Sequence, residues 1–186
     1  MKNFSSWLMA AGLCLVAASS FAGATDPHVL AIKNLTQPTG PSQTFTADLV
    51  LTPADVLVSS FNIGIGYDNA RVSTLQMTNN TGESSVNYTV GSEQTQTGIP
   101  YANVFCGVAM DVVYDVQPPL AGDYYLGHIT LKTKADFNPA AGPVGISLKG
   151  WSRFGDGGVY DGSYAEINVT YQSDAGGSGV SDWNLY

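Results

Sequence analysis

The sequence predicts an all-β protein, an antiparallel two-sheet sandwich of about nine short strands in the manner of jelly-roll and immunoglobulin-like folds. Three observations carry this. Apolar residues recur at every second position in run after run, as in Phe45, Ala47, Leu49 and Leu51, the period of a strand with one buried face. Clusters of Gly, Pro, Asn and Ser separate the runs, and these residues favour turns. No stretch of useful length carries the 3.6-residue period of an amphipathic helix. Stacking two sheets is the arrangement that hides this many one-sided strands.

The elements follow in order. Val29-Leu30-Ala31-Ile32 is the first extended run, ended by a turn at Pro38-Thr39-Gly40-Pro41. Phe45 to Leu51 is the second. Pro53 to Leu57 could form one helical turn. In the third run Phe61, Ile63, Ile65 and Tyr67 share one face, and Asn62, Gly64 and Gly66 share the other. That second face is nearly bare, so something flat can approach the backbone closely. Asp68-Asn69 ends the run. Val72 to Met77 follows, then a polar turn at Asn79-Asn80-Thr81-Gly82. Val86 to Val90 and Tyr101 to Ala109 are the next strands, and Gln117-Pro118-Pro119 breaks the chain. Tyr125 to Lys134 is a long strand. Val144, Ile146 and Leu148 alternate in another, and Ala165, Ile167, Val169 and Tyr171 in the last.

The ends are read differently. A positive start at Met1-Lys2-Asn3, an apolar run from Trp7 to Ala18 and the small-residue site Ala22-Gly23-Ala24 make residues 1–24 a secretory signal peptide. The apolar run is too short to span a bilayer. The expected destination is outside the cell, or the periplasm of a Gram-negative bacterium. Residues 25–172 are expected to form the single sandwich domain. Residues 173–186 form a tether, Ala175-Gly176-Gly177-Ser178-Gly179, and a short aromatic tail.

Composition narrows the function classes. There are 15 acidic residues against 7 basic ones, a formal net charge of −8. Nucleic acids and anionic membranes both require a basic footprint, so neither is an expected partner. Cys14 lies in the leader, which leaves Cys106 without an internal disulfide partner, expected to be a buried small hydrophobe.

The chain resembles a cohesin-like domain, within the superfamily of cellulosomal cohesins and carbohydrate-binding β-sandwiches. The resemblance rests on Phe61 to Asp68 followed by Val72 and Leu75, on the Gly-introduced strand from Gly122 to Lys134, and on Phe154 to Val159 followed by Asp161 to Val169. It covers roughly residues 28 to 172 in the order of that family. Asn69 stands where the family has proline. The resemblance implies a secreted, non-catalytic binding module whose partner is a secreted or surface protein, dockerin-like or other. The face carrying Asn62, Gly64 and Gly66 is the expected partner surface. The same superfamily contains polysaccharide-binding modules, so the alternative ligand is polysaccharide. Its candidate platform is Trp151, Tyr160 and Tyr164, since aromatic rings stack on the apolar faces of sugars.

Other chemistry is thinner. His28 is expected to fray at the start of the domain, and His128 to be a satisfied surface histidine on a strand. Asp156 and Asp161 lie in Gly-rich turns where calcium could find carboxylate and carbonyl oxygens, though without EF-hand spacing. Otherwise no cofactor is expected. No nucleophile elbow or phosphate-cradling loop occurs, so no enzymatic activity is expected.

Overall fold

The structure is a computed structural model, and it describes residues 28–81, 86–112, 122–150 and 157–174. The expected leader, Trp151, Asp156 and the tail beyond Asp174 lie outside the described residues. Within them the protein is a sandwich of two sheets.

Eleven strands are formed among the described residues: β1 (His28–Lys33), β2 (Thr44–Thr52), β3 (Val58–Tyr67), β4 (Val72–Asn79), β5 (Val86–Ile99), β6 (Ala102–Val112), β7 (Tyr124–Thr133), β8 (Ser147–Gly150), β9 (Gly158–Asp161), β10 (Glu166–Ile167) and β11 (Val169–Gln172). One sheet has the order β11-β1-β2-β7-β4. The other runs β10-β9-β3-β6-β5, with β8 also paired to β3. All neighbours are antiparallel except β1 and β11, which run parallel from His28↔Val169 to Ala31↔Gln172.

The core lies where the alternating apolar residues meet. Leu30 and Ile32 of β1, Phe45, Ala47, Leu49 and Leu51 of β2, and Ile129 and Leu131 of β7 face the other layer. From that layer come Phe61, Ile63, Ile65 and Tyr67 of β3 and Val104, Cys106, Val108 and Met110 of β6. Burying each of the larger side chains stabilises the fold by about 1.5–3 kcal/mol before chain entropy opposes it.

β3 is the organising strand. One edge pairs with β6 from Ser60↔Asp111 to Tyr67↔Val104. The other edge is shared: β9 takes Val58 to Asn62, and β8 takes Ile63 to Gly66. Both edges of β3 are therefore satisfied, and on its outward face Ser60 and Asn62 are half-buried while Gly64 and Gly66 are buried.

Four expectations need correction. Pro53 to Leu57 forms no helical turn, because Ala54 is fully buried and its N–H donates to the Gly122 carbonyl at 3.0 Å, which holds the segment as a connection between the layers. The last expected strand is two strands in different sheets. Glu166 and Ile167 pair with β9, while Val169 onward pairs with β1, and the chain changes layer at Asn168. Tyr101 is a turn residue rather than a strand residue, with φ of 64°. His28 does not fray. It is 1 % exposed, its N–H donates to the Asn168 carbonyl at 3.0 Å, and its Nε2 lies 2.7 Å from Asp55 Oδ1. A strand held between β2 and β11 has no freedom to peel away.

The outward face of the six-stranded sheet

Since Phe61, Ile63, Ile65 and Tyr67 point into the core, strand alternation turns Asn62, Gly64 and Gly66 outward. Register then decides what stands beside each. Asn62 lies opposite Ala109, Gly64 opposite Gly107 and Gly66 opposite Phe105 on β6. On the β8 side Gly64 lies opposite Lys149 and Gly66 opposite Ser147. The Gly64–Gly107 pair contributes no side chain to the centre of the face, where Gly64 is buried and Gly107 half-buried.

Gly66 plays a different part. A Cβ at Gly66 would lie 2.6 Å from two ring carbons of Phe105 and 2.9 Å from the Ala102 Cβ. The Phe105 ring therefore occupies the space that Gly66 leaves empty, and Phe105 is only 1 % exposed although it stands outside the core cluster. Lys149 Nζ sits 4.2 Å from the centre of this ring, a cation–π contact, and also donates to Gln96 Oε1 on β5. Burial lowers the Lys149 pKa. Gln96, Lys149 and Phe105 thus tie β5, β8 and β6 together across the face. Of the three expected contact residues, Asn62 is half-buried and Gly64 and Gly66 are buried. Gly66 is covered by the protein's own ring.

The edge of this sheet is polar. Gly91 to Gly98 of β5 are all exposed. At the β5 bulge the exposed Glu93 caps the end of β3: its Oε1 accepts from the Tyr67 hydroxyl at 2.7 Å and its Oε2 from Asn69 Nδ2 at 3.0 Å. The Tyr67 hydroxyl also lies 3.6 Å from Cys106 Sγ. Burial, with the hydrogen bonds to Glu93 and Cys106, raises the Tyr67 pKa well above the usual phenol range. Burial also raises the Cys106 pKa, against the opposing hydrogen bond from Tyr67. Cys106 is the buried hydrophobe expected of it.

The remaining candidates are dispersed. Tyr160 is half-buried on β9, whereas Tyr164 is 74 % exposed in the β9–β10 turn with φ of 61°. Trp151, the third expected ring, and Asp156 lie outside the described residues. Asp161 Oδ1 accepts from Ser163 N at 2.8 Å, Ser163 Oγ at 2.7 Å and Ala165 N at 3.0 Å. Burial acts to raise the Asp161 pKa, but these hydrogen bonds outweigh it and the pKa is lowered. This oxygen organises its own turn. Among the described residues no three His, Cys, Asp or Glu side chains come together in a way that could hold a metal ion. His128 Nδ1 lies 2.9 Å from Asp48 Oδ1 on the outward face of the five-stranded sheet, the satisfied histidine expected there.

Sequence reasoning passed over Phe105 and Lys149. The signal for Phe105 was its phase: it shares a face with Gly107 and Ala109 rather than with Val104, Cys106 and Val108. No protein-family model matches the chain, and no curated protein matches it. Solved structures do. One is the type I cohesin–dockerin complex of Clostridium thermocellum, 14 % identical over 80 % of this chain and 96 % of that one, with a TM-score of 0.53. The chain has a cohesin-like fold. Two further cohesin-like matches agree. CaCohA2 of Clostridium acetobutylicum is 14 % identical over 81 % of this chain and 88 % of its own, with a TM-score of 0.54. The sixth cohesin of Acetivibrio cellulolyticus scaffoldin B, solved with a Cel5 dockerin mutant, is 10 % identical over 80 % and 97 %, with a TM-score of 0.50. The cohesin-like sandwich contains, among the described residues, no helix long and apolar enough to cross a membrane.

Proposed function

We propose that this protein is an exported, non-catalytic module that holds a partner protein on the outward face of β8, β3, β6 and β5. The observation that carries the reading is a sheet face with glycine on both strands at its centre, where Gly64 lies opposite half-buried Gly107, with half-buried Asn62 and Lys149 beside it. Glycine on both strands keeps this part of the face flat, and the half-buried Asn62 and Lys149 supply a small number of directional contacts around it. The cohesin structures that share the fold were solved with dockerins, which makes a dockerin-like domain the first partner to try. The leader read at residues 1–24 supports export.

The test is capture of partners from the culture fluid of the source cell on immobilised protein. A dockerin-bearing partner that is retained by the wild type and lost on Gly64→Arg, with the variant still folded, supports the reading. Retention unaffected by both Gly64→Arg and Gly107→Arg removes this face from consideration. The polysaccharide alternative keeps one favourable observation, the exposed ring of Tyr164. Retention on insoluble polysaccharide that disappears in Tyr164→Ala supports it.

A further inference from the structure

At one end of the sandwich, the β3–β4 turn, the β5–β6 turn and the loop before β8 border a solvent-open cavity of about 340 Å³. This lies at the small end of the volumes that hold small molecules, about 300–1,000 Å³. Its wall is Tyr101. Ile99 pairs with Ala102, so Pro100 and Tyr101 are the central residues of a two-residue turn. Tyr101 has φ of 64°, where glycine is the favoured residue. A large side chain held in this conformation is strained and must be held there by its surroundings. The holding contact is visible: a Cβ at Gly145 would lie 2.5 Å from Tyr101 Cγ, so the ring rests directly on the Gly145 backbone. The ring is still 39 % exposed, and it lines the cavity.

Polar groups converge beside it. Asp68 Oδ1 accepts from the Ala70 N–H at 3.0 Å, and Oδ2 has no protein partner among the described residues. Asn103 Oδ1 accepts from the Asn69 N–H at 2.8 Å, and its Nδ2 donor is unused among the described residues. Arg71 donates to the carbonyls of Pro143 at 2.8 Å and Gly142 at 2.6 Å, which fixes a positive charge in the lining with Asp68. The two formal charges cancel. A cation would meet Arg71, an anion would meet Asp68, and an apolar ligand would leave the acceptor and the amide unpaired. A neutral ligand rich in hydroxyls matches all of them.

We propose that this cavity binds a neutral sugar residue. Tyr101 stacks on the ring, Asp68 Oδ2 accepts from one hydroxyl, and Asn103 Nδ2 donates to a neighbouring one. The site is separate from the outward face of β3 and β6, and it stands or falls independently of the partner proposed there. It also shares no residue with the Trp151, Tyr160 and Tyr164 platform.

The experiment is an amide-shift titration of the ¹⁵N-labelled full chain with glucose, galactose, mannose, xylose and N-acetylglucosamine, each offered free and as its linear oligosaccharide. The expected result is saturable shifts at residues 68–71, 101–103 and 144–145, with millimolar affinity for at least one sugar. Equal affinity for monomer and oligomer marks a free sugar as the ligand. An oligomer that binds about tenfold tighter marks the end of a glycan chain. Tyr101→Phe keeps the affinity within about threefold. Tyr101→Gly, which relieves the backbone strain, weakens it by about tenfold or more. Asn103→Asp keeps the acceptor for Asn69 but removes the donor, and gives a comparable loss even if Tyr101→Gly does not fold. The proposal is overturned by the absence of saturable shifts up to about 50 mM of every sugar, by shifts that centre on Tyr164 or on Gly64, or by affinity that survives Asn103→Asp.

Discussion

Substituting Gly66 by alanine tests whether the outward face is built as described. The new Cβ would sit 2.6 Å from two Phe105 ring carbons and 2.9 Å from the Ala102 Cβ. Carbon atoms rest at about 3.5–4.0 Å, so the ring has to retreat by about 1 Å. Phe105 is 1 % exposed and lies under the Lys149 ammonium, so it has little room to move. Overpacking of this kind costs about 1–3 kcal/mol. Alanine returns about 0.4–1 kcal/mol by restricting the unfolded chain. The net loss is therefore at most about 2.6 kcal/mol and centres on about 1.3 kcal/mol, or roughly 3–5 °C in Tm for a domain of this size. Gly40→Ala is the control, because nothing lies within 4 Å of a Cβ there. It should leave stability unchanged or raise it by up to about 1 kcal/mol. Urea unfolding of both variants gives the comparison, and Phe105→Leu in the Gly66→Ala background should recover part of the loss. Equal midpoints for the two glycine variants, or strict additivity of Gly66→Ala with Phe105→Leu, refute the packing argument.

Three other outcomes follow from the structure. Cys106 is buried and its pKa is raised by burial, so alkylation at neutral pH should proceed only as the protein unfolds in denaturant, and rapid labelling of the native protein contradicts this. Asp123 accepts from Lys33 Nζ at 2.8 Å and from Thr52 Oγ1 at 2.7 Å, hydrogen bonds that hold its pKa below the usual carboxylate value. A carboxyl with a depressed folded pKa contributes stability above its unfolded pKa of about 3.9 and loses it as the pH falls through the lower folded value. Asp123→Asn should therefore flatten the stability–pH curve below about pH 4, by less than about 1 kcal/mol for so exposed a pair, and an unaltered acid limb argues against the assignment. His28→Ala removes a buried ring and its bond to Asp55, which should cost about 2 kcal/mol and speed amide exchange in β1 and β11 above all; a uniform change across both sheets contradicts the local role.

The layers of the fold were legible because burial and phase agree over most strands. Phe45 to Leu51, Phe61 to Tyr67 and Ile129 to Leu131 each announce an inner face, and each has it. The signal fails where a strand has no inner face. Gly91 to Gly98 of β5 are exposed throughout, so no hydrophobic period marks them, and β5 extends nine residues past the expected end at Val90 to Ile99. It also fails where two sheets share one continuous run. Ile167 and Val169 have the same phase, and nothing in their order says that Asn168 separates two layers. The outward parity of Asn62, Gly64 and Gly66 was legible in the alternation of β3. Which glycine is filled depends on register with β6, and register is a property of the pairing rather than of either strand. Tyr101 was hidden for a related reason, since a turn that places tyrosine where glycine is favoured looks like the start of a strand until Gly145 is seen beneath the ring.

The parallel pairing of β1 with β11 has a mechanical consequence. Tension carried in at His28 and out at Gln172 pulls the two strands lengthwise past each other, because they point the same way. Their hydrogen bonds then bear the load together instead of opening one after another like a zipper. A domain latched in this manner resists stretching more than the same hydrogen bonds would if they opened in turn, so the force it bears is set by the direction of pull as well as by its equilibrium stability.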